Sequence, residues 1–374
     1  MIIFLSFIDI AYSVCYNKIV FFLEDAMDIT QIDKNMKVDK EIDKTGLVFK
    51  NVDEEPFRIY GVTRDGEAYT RLPEEVAEAT SQNVTKLRIY TAGGRIRFVT
   101  DSPRVALVAV YSYIYNACHM PLTGGAGFDL YVDDSYYATF VPPFGMNKGY
   151  EAVANFGSSE KRLITINMPT YSVPSSILIG LEKDSLLEYA PDYTYEKPIV
   201  YYGSSITQGG CASRAGTNYP SVVSRKLDAD YVNLGFSGSA KGEDAMAEYI
   251  AGLNMSAFVY DYDHNAPSVE HLEATHERMF LRIREKQADL PIVMISRPYF
   301  RKTENRDARF AVIKKTYDNA RARGDKNVYL IHGGEIFGDA ENECTVDDCH
   351  LTDLGFYMMA KAVYPVLKEI LEKK

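Results

Sequence analysis

Five residues in the second half of the chain combine into the chemistry of a serine nucleophile: Ser205, Gly238, Asn265, Asp347 and His350. A serine attacks a carbonyl only when a base removes its proton, and that base needs an orienting partner. His350, with Asp347 three residues earlier, supplies both groups from one loop. The backbone N–H of Gly238 and the amide of Asn265 are suited to hold the negative oxygen of a tetrahedral intermediate. The sequence therefore predicts acyl transfer through Ser205, with no metal and no organic cofactor.

Each of these residues has an ordinary explanation when it is taken alone. A serine after a glycine is usually a turn residue, and an Asp-x-x-His spacing is frequent by chance. Asn265 stands before Ala266-Pro267 and could simply begin a helix. What favours catalysis is that the residues occur together, in order, and each after an apolar run.

From residue 193 onwards, those apolar runs alternate with helical patterns. Five pairs of this kind predict a parallel sheet with helices on both faces. The runs are 199–202, 231–234, 257–260, 291–295 and 328–331, and the helices that follow them are 219–227, 243–250, 268–287, 305–321 and 354–371. Ligands bind beyond the carboxyl ends of such strands, so the candidate residues are expected to converge there.

Residues 47–192 contain short alternating strands and predict a β-sandwich or jelly roll. Residues 86–90 and 95–99 are expected to pair through Gly93-Gly94, and the strand 127–132 is expected to turn at Asp133-Asp134. Asp129 is expected in a turn or at the domain interface. The predicted organisation is an N-terminal extension (1–46), poorly ordered or started too far upstream, then the sandwich (47–192) and the α/β domain (193–374).

The order Gly-x-Ser, Asn-x-Gly-x-x-Gly, Asn, Asp-x-x-His resembles the four blocks of the SGNH (GDSL-type) hydrolases. This resemblance implies a three-layer, flavodoxin-like α/β domain with five parallel strands. It also implies Ser205 as nucleophile, Gly238 and Asn265 as oxyanion donors, and His350 with Asp347 as base and partner. The segment 127–131, Gly-Phe-Asp-Leu-Tyr, looks like the Gly-x-Asp-Leu-Tyr signature of a β-sandwich domain that precedes some bacterial SGNH esterases.

The two-domain arrangement is similar to carbohydrate esterases that remove acetyl groups from polysaccharide fragments, which implies a small-molecule or oligosaccharide ester as substrate. Three positions depart from the family pattern. Ser204 stands where the family has an acid, Asp348 stands where a glycine is common, and the third block reads His264-Asn265-Ala266. These departures leave open a carbohydrate-binding protein with a degenerate hydrolase domain. A lipase for longer acyl chains is also open, with the loop 141–146 as its lid.

Several other polar residues are candidate substrate contacts or ordinary structural groups. Arg214 and Arg297 could each touch an acyl or sugar group, or lie on the surface. His264 could touch substrate or bond to backbone at a strand end. His271 and His276 are five residues apart, which does not fit a helical zinc pair, and both are expected on a helix surface.

Composition excludes some partners. The net charge is −11 and no Lys/Arg cluster is present, so nucleic acid is not expected as a partner. The chain has 28 tyrosines, and a high tyrosine content is more commonly explained by strand propensity than by sugar binding. Five cysteines without framework spacing favour reduced thiols and a cytoplasmic setting. The apolar start of the chain is too interrupted for a membrane span, and secretion is the alternative if it acts as a signal. Homo-oligomer formation is left open.

Overall fold

The structure, a computed structural model, describes residues 29–373 of the 374-residue chain. Residues 40–373 form one compact unit, and the described residues before Lys40 belong to a separate one. Within the latter, the described residues contain a helix at Ile29–Ile32 and a 3-10 turn at Lys34–Met36. The first 28 residues of the predicted extension, with the question of a secretion signal, lie outside the described residues. Among the described helices, none combines the length and apolar character that a membrane crossing requires.

Two antiparallel sheets pack face to face between residues 47 and 189. One has the order β1-β11-β6-β9; the other has the order β12-β5-β10-β7-β8, with β2 added beside β5. A single core of side chains from both sheets includes Leu107, Ile179, Phe98 and Ile166. The predicted β-sandwich is therefore confirmed. The strands are β1 Leu47–Asn51, β2 Arg58–Tyr60, β3 Thr63–Asp65, β4 Ala68–Thr70, β5 Arg95–Thr100, β6 Arg104–Tyr113, β7 Phe128–Val132, β8 Ser135–Phe140, β9 Gly149–Asn155, β10 Arg162–Asn167, β11 Val173–Glu182 and β12 Leu187–Tyr189.

The rest of the chain forms a parallel five-stranded sheet in the order β14-β13-β15-β16-β17. Apolar side chains cover both faces of this sheet, each against its own set of helices, which gives the predicted three layers. The strands are β13 Tyr195–Gly203, β14 Ala229–Gly235, β15 Ala257–Asp261, β16 Ile292–Ile295 and β17 Val328–Ile331. The long helices are Tyr219–Leu227, Asp244–Ala251, Val269–Lys286, Glu304–Ala322 and Asp353–Glu372.

Shorter helical segments connect these elements. The α-helical ones are Glu74–Thr80, Gln82–Leu87, Leu122–Gly125, Ser205–Gln208 and Gly333–Ile336. The 3-10 turns in this part of the chain are Ala215–Thr217, Asp263–Asn265 and Gly338–Cys344.

The strand order reverses at β13, because β14 lies on one side of it and β15 on the other. In open α/β sheets the crevice for a ligand forms at this reversal, outside the carboxyl ends of the two strands whose connections leave in opposite directions. The loops after β13, β14 and β15 therefore surround the natural binding position of the fold. These loops carry Ser205, Gly238 and Asn265.

Two sequence predictions are wrong. Residues 86–90 do not form a strand: Ser81 accepts a hydrogen bond from the Val84 N–H and begins the helix Gln82–Leu87, so this local cap prevails over the alternating pattern. His276 is not on a helix surface. It is 2% exposed, stacks on Tyr260 at 4.4 Å, and its Nδ1 lies 2.9 Å from Thr316 Oγ1.

Two buried polar side chains join the antiparallel sheets to the parallel sheet. The Arg71 guanidinium donates to the carbonyls of Asn233 (3.0 Å) and Gly235 (2.6 Å) on β14, and also to carbonyls of its own segment. Asp129 on β7 accepts from Asn167 Nδ2 and from the Gly216 N–H, both at 2.9 Å. The expected interface role of Asp129 is confirmed by this second bond.

Candidate active site

The predicted nucleophile, Ser205, is the first residue of the short helix that follows β13. Ser204 begins this helix, because its Oγ accepts a hydrogen bond from the Ile206 N–H at 3.1 Å. A hydroxyl is well suited to this capping position. Helix capping therefore explains why a serine can stand at position 204, where the family pattern has an acid. Ser205 is 6% exposed. Only a small part of its side chain can therefore be reached from outside.

A buried acid lies beneath this turn. Asp261 ends β15, and its Oδ2 accepts from Thr207 Oγ1 at 3.0 Å and from Tyr219 OH at 3.1 Å. Its Oδ1 is buried and has no hydrogen-bond partner. Burial raises the pKa of Asp261 to about 8, because the charged form would lose its hydration. The neutral carboxyl thus supports the helix that carries the nucleophile. In the sequence it is the residue after the third apolar run, but nothing there indicated its burial.

The predicted base and its partner form a closed pair in the loop before the helix Asp353–Glu372. His350 Nδ1 lies 2.8 Å from Asp347 Oδ2, and the His350 N–H donates to Asp347 Oδ1 at 2.7 Å. Burial acts to raise the pKa of Asp347, but the hydrogen bonds from His350 outweigh it and the net pKa is lowered. Asp347 is therefore a carboxylate that holds the proton of His350 on Nδ1, which leaves Nε2 free as an acceptor.

Ser205 and His350 approach the same glycine. A Cβ built on Gly210 would lie 3.2 Å from the Ser205 carbonyl oxygen and 3.4 Å from His350 Cδ2. The hydrogen bonds of the described residues do not include one between the two side chains. Catalytic hydrogen bonds are often long before substrate binds, so the missing bond does not rule out proton transfer between the two residues.

Hydrogen bonds to Asp353 link the segments that carry Ser205 and His350. Asp353 Oδ1 accepts from the Ser213 N–H at 2.9 Å and from Thr217 Oγ1 at 3.0 Å. The first residue of the last helix is thereby tied to the loop that follows Ser205.

Gly238 and Asn265 lie on loops that are bonded to each other. Asn265 Nδ2 donates to the Phe236 carbonyl at 2.8 Å, two residues before Gly238. The Ser237 N–H donates to Gln208 Oε1 at 3.0 Å, which ties the same loop to the nucleophile helix. Gly238 has φ +65°, a left-handed conformation that favours glycine, and no atom lies within 4 Å of a Cβ built on it. Its backbone is therefore open to a ligand.

A buried ion pair fixes the turn that carries Asn265. Arg309 Nε donates to Asp263 Oδ1 at 2.7 Å, and Arg309 Nη2 donates to the Ala266 carbonyl at 2.8 Å. The two side chains are 4% and 1% exposed. Arg309 is in the helix Glu304–Ala322 and was not a candidate from the sequence, since an arginine in a helical pattern gives no sign of such a partner.

Two of the predicted substrate contacts flank the base. His264 Nδ1 lies 3.8 Å from Cys349 Sγ, and its Nε2 is buried without a hydrogen-bond partner. Burial, followed by the charges of nearby arginines, holds the pKa of His264 well below its usual range, so the ring is neutral. The Arg297 N–H donates to Asp263 Oδ2 at 2.8 Å, and Arg297 Nε is buried and unpaired. Their roles as substrate contacts stay predictions.

The third predicted contact, Arg214, packs against the sandwich. Its guanidinium carbon lies 3.7 Å from the ring centroid of Tyr136 on β8, and its Nη1 is buried without a hydrogen-bond partner. This stacking gives Arg214 a role between the two sheet systems, and a contact with substrate stays a prediction.

The antiparallel half also contributes side chains beside the site, which the sequence did not indicate. Tyr90, Tyr115 and Tyr171 line a cleft of about 310 Å³ together with Ser237 and Ser239, and we call it the tyrosine cleft. The ring centroids of Tyr115 and Tyr171 are 5.6 Å apart. The Tyr171 hydroxyl would lie 3.0 Å from a Cβ on Gly210, the same glycine that lies against the Ser205 carbonyl and His350. A high tyrosine content was the one available signal, and it was interpreted as strand propensity.

His119 and Cys211 complete the surroundings of His350. The His119 and His350 ring centroids are 5.7 Å apart. Cys211 is 4% exposed, and burial raises the pKa of its thiol to about 11. The thiol is therefore protonated at neutral pH and is a poor competitor of Ser205 as nucleophile.

Comparison with known proteins agrees with this architecture. Residues 196–368 match the GDSL-like lipase/acylhydrolase family, and residues 47–187 match the N-terminal domain of SGNH-hydrolase-type esterases. A search of curated proteins finds no match.

Several solved structures share the fold across both halves of the chain. A protein from Bacteroides ovatus described as a GDSL-like lipase is 28% identical with a TM-score of 0.79, over 87% of this chain and 98% of that one. The salicylyl-acyltransferase SsfX3 of a tetracycline biosynthetic pathway is 18% identical with a TM-score of 0.71, over the same shares. A family two carbohydrate esterase from Cellvibrio japonicus is 12% identical with a TM-score of 0.58, again over 87% and 98%.

Proposed function

We propose that this chain, an ester hydrolase of the SGNH (GDSL-like) family, removes small O-acyl groups, in particular acetyl groups, from carbohydrate hydroxyls. The observation that carries the proposal is that the backbone of Ser205 and the ring of His350, which is paired with Asp347, both lie against Gly210. This juxtaposition occurs at the reversal of strand order, where the fold offers its ligand crevice.

The proposed reaction proceeds through an acyl-enzyme. His350 Nε2 takes the proton of Ser205 Oγ as the oxygen attacks the ester carbonyl, and Asp347 stabilises the imidazolium that forms. The negative carbonyl oxygen receives hydrogen bonds from the Gly238 N–H, from Asn265 Nδ2 and from the Ser205 N–H. His350 then gives its proton to the leaving alcohol, and a water molecule repeats the sequence to release the acid.

Two observations support a small acyl group on a sugar. Ser205 is almost covered, which leaves little room for a bulky acyl chain at the carbonyl. The tyrosine cleft offers flat aromatic faces and hydroxyls beside the nucleophile, which suit the alternating apolar and polar surface of a sugar ring. The family two carbohydrate esterases that share the fold motivate the same substrate class.

The nucleophile is tested with a pair of adjacent serines. We expect Ser205→Ala to abolish hydrolysis of p-nitrophenyl acetate and labelling by a fluorophosphonate probe. The matched control, Ser204→Ala, removes only a helix cap, so it should cost about 1 kcal/mol of stability and keep both activities. Full labelling of the Ser205→Ala protein would refute the proposal. Absence of labelling in the unmodified protein would favour a degenerate carbohydrate-binding domain.

The substrate class needs a separate test. Acetylated mono- and oligosaccharides, followed by mass spectrometry, should lose acetyl groups with a higher kcat/KM than p-nitrophenyl acetate. Equal kcat/KM for sugar and aryl esters would count against a sugar site.

One observation favours a second candidate, an acylhydrolase for longer chains. An apolar cavity of about 500 Å³ lies between Met120, Leu122 and Phe144, and Phe144 is fully exposed on the loop that was the predicted lid. A series of p-nitrophenyl esters from acetate to decanoate separates the two functions. Acetyl removal requires that kcat/KM falls with chain length, and a rise would favour the lipase.

A further inference from the structure

We propose that the active site contains an inhibitory binding site for a soft divalent cation such as Zn²⁺, formed by His119, Cys211 and His350. One donor atom from each residue lies within 4.8 Å of the other two. Imidazole nitrogen and cysteine sulfur are among the ligands that Zn²⁺ takes in proteins, and three protein ligands with a water molecule in the fourth position form a recurrent zinc site. The three residues come from separate parts of the chain, so their spacing in sequence does not indicate a metal site.

The donor distances fit the metal after a small adjustment. Bonds of about 2.0–2.1 Å to nitrogen and 2.3 Å to sulfur place tetrahedral donors roughly 3.3–3.6 Å apart. Donors at the 4.8 Å upper limit must therefore move closer to one another by roughly 1.2–1.5 Å. His119 can supply this movement because it is exposed on the loop before the helix Leu122–Gly125.

Cys211 is held in an unusual conformation that presents it to this site. Its φ is +71°, a left-handed value that costs a non-glycine residue of the order of 1 kcal/mol. Two glycines, Gly209 and Gly210, directly precede Cys211 in the chain. A side chain in a strained backbone position next to an active site suggests a role for that side chain. Here the donor atom of Cys211 lies beside the donors of the two histidines.

His350 is already oriented as zinc-bound histidines usually are. Its Nδ1 is engaged by the Asp347 carboxylate at 2.8 Å, so Nε2 is the nitrogen available to a metal. Carboxylate–histidine–zinc arrangements of this kind fix the ring and strengthen the metal bond. The same Nε2 lone pair is the one that must accept the proton of Ser205. Metal binding and catalysis therefore exclude each other.

The binding step balances without a further reactant. Zn²⁺ gains one sulfur and two nitrogen ligands, the Cys211 thiol releases its proton to solvent, and a water molecule takes the fourth position. Removal of the metal by a chelator reverses each change. The chain would thus be a zinc-sensitive esterase whose activity returns when the metal is removed. The inhibitory consequence rests on the proposed role of His350, whereas the metal site itself does not.

The first experiment measures ester hydrolysis by the full chain during titration with Zn²⁺, with Mg²⁺ as the hard-cation control. Zn²⁺ should inhibit, Mg²⁺ should not, and EDTA should restore the activity. His119→Ala and Cys211→Ser should each raise the half-inhibitory Zn²⁺ concentration by about tenfold or more, measured against the metal-free activity of the same variant, because each removes one ligand. His119 is exposed, so this variant tests the site even if the buried Cys211→Ser fails to fold.

Matched controls are the neighbouring cysteines Cys118 and Cys349, both of which are free thiols. Cys118→Ser and Cys349→Ser should leave the zinc sensitivity unchanged. Relief of inhibition by either of these, or equal inhibition of the His119→Ala and unmodified proteins, would overturn the assignment.

A second experiment is independent of esterase activity. The Ser205→Ala protein is titrated with Co²⁺, and a thiolate-to-cobalt charge-transfer absorption is expected at a stoichiometry of one. The absorption should disappear in Ser205→Ala/Cys211→Ser. If it is absent from the Ser205→Ala protein, the metal site is refuted. If it is present while the unmodified protein shows no ester hydrolysis, the metal site stands and the proposed function fails.

Discussion

At the scale of single residues, the site separates the groups that react from those that hold them. Asp347 engages one nitrogen of His350 and leaves the other free. Ser204, which stands where the family has an acid, caps the nucleophile helix instead. A different carboxyl, that of Asp261 on the neighbouring strand, is buried and accepts a hydrogen bond from Thr207 in this helix. The position of the motif acid is thus used here to cap the helix.

Asn265 gives the most direct test of the proposed oxyanion site. We expect Asn265→Ala to lower kcat by about 10²–10³ with little change in KM, because the lost donor acts on the transition state. The Nδ2 bond to the Phe236 carbonyl is lost as well, so the free energy of unfolding should fall by about 1 kcal/mol. Steady-state kinetics and urea unfolding check the two effects. A kcat within about fivefold of the unmodified enzyme would exclude Asn265 as a donor.

Asp261 makes stability depend on pH in a defined direction. Its pKa is about 8 in the folded protein and near 3.8 in the unfolded chain. The folded-state pKa is raised, so the contribution to stability is complete below about pH 4 and is lost as pH rises through about 8. Asp261→Asn has no such titration and keeps an acceptor for Thr207 and Tyr219. The free energy of unfolding of the variant, relative to that of the unmodified protein, should therefore rise by up to about 1.4 kcal/mol per pH unit between pH 5 and 8.

Urea unfolding at several pH values measures this difference. Asp244→Asn, which changes an exposed aspartate paired with Arg278, serves as the control and should run parallel to the unmodified protein. Parallel curves for Asp261→Asn would show that the buried carboxyl does not titrate as described.

At the scale of elements, the turn Asp263–Asn265 is held in place by a buried ion pair and by a backbone hydrogen bond. Asp263 Oδ1 accepts a hydrogen bond from Arg309 Nε, and Asp263 Oδ2 accepts one from the Arg297 N–H. Arg309→Met leaves a buried carboxylate unpaired, and we expect a loss of about 3–5 kcal/mol of stability. Because the turn carries Asn265, kcat should fall as well.

The double variant Arg309→Met/Asp263→Asn provides the control for this prediction. Removal of both charges should recover part of the stability measured by thermal unfolding, since the unpaired charge is what costs most. An Arg309→Met protein as stable as the unmodified one would mean that the pair does not hold the turn.

The elements of the parallel sheet could be predicted from the sequence, and several elements of the other half could not. The strands β13 to β17 contain continuous apolar runs, Ser268 caps the helix Val269–Lys286, and Gly324, at positive φ, follows the helix Glu304–Ala322. The strand predicted at 86–90 fails because a single cap at Ser81 decides the local structure. Alternation over five residues cannot show this, since it does not record which backbone groups find partners.

Site residues differ in the same way. Ser205, Asn265 and His350 could be proposed because each follows a strand or precedes a helix of one sheet, where topology makes their meeting predictable. Tyr171, His119 and Arg309 could not, because they reach the site through contacts between distant segments. Cys211 could not either, since its importance lies in a backbone conformation that the residue type does not reveal.

At the scale of the whole molecule, the antiparallel and parallel halves share buried polar contacts as well as a common cleft. The Arg71 guanidinium donates hydrogen bonds to four carbonyls, and two of these are on β14, just before the loop that carries Gly238. We expect Arg71→Met to lower the free energy of unfolding by several kcal/mol, because these carbonyls lose charged donors. We also expect residues 40–373 to unfold in one transition, since both halves depend on this side chain.

Calorimetry and tyrosine fluorescence during urea unfolding check this expectation. Arg278→Met, at an exposed ion pair, should change the stability by less than about 1 kcal/mol. Two separated transitions in the unmodified protein would contradict the coupling.

The tyrosine cleft has a consequence for how this enzyme can diversify. Its aromatic wall comes from the first half of the chain, whereas the nucleophile, base and proposed oxyanion donors come from the second. Under the proposed function, recognition and reactivity are encoded in two consecutive stretches of the gene. Recombination between relatives at the connection near residue 193 would exchange the substrate repertoire in one event and pass on the chemistry intact. Compatibility at Arg71 and Asp129 would set the limit on which parents yield a working chimera.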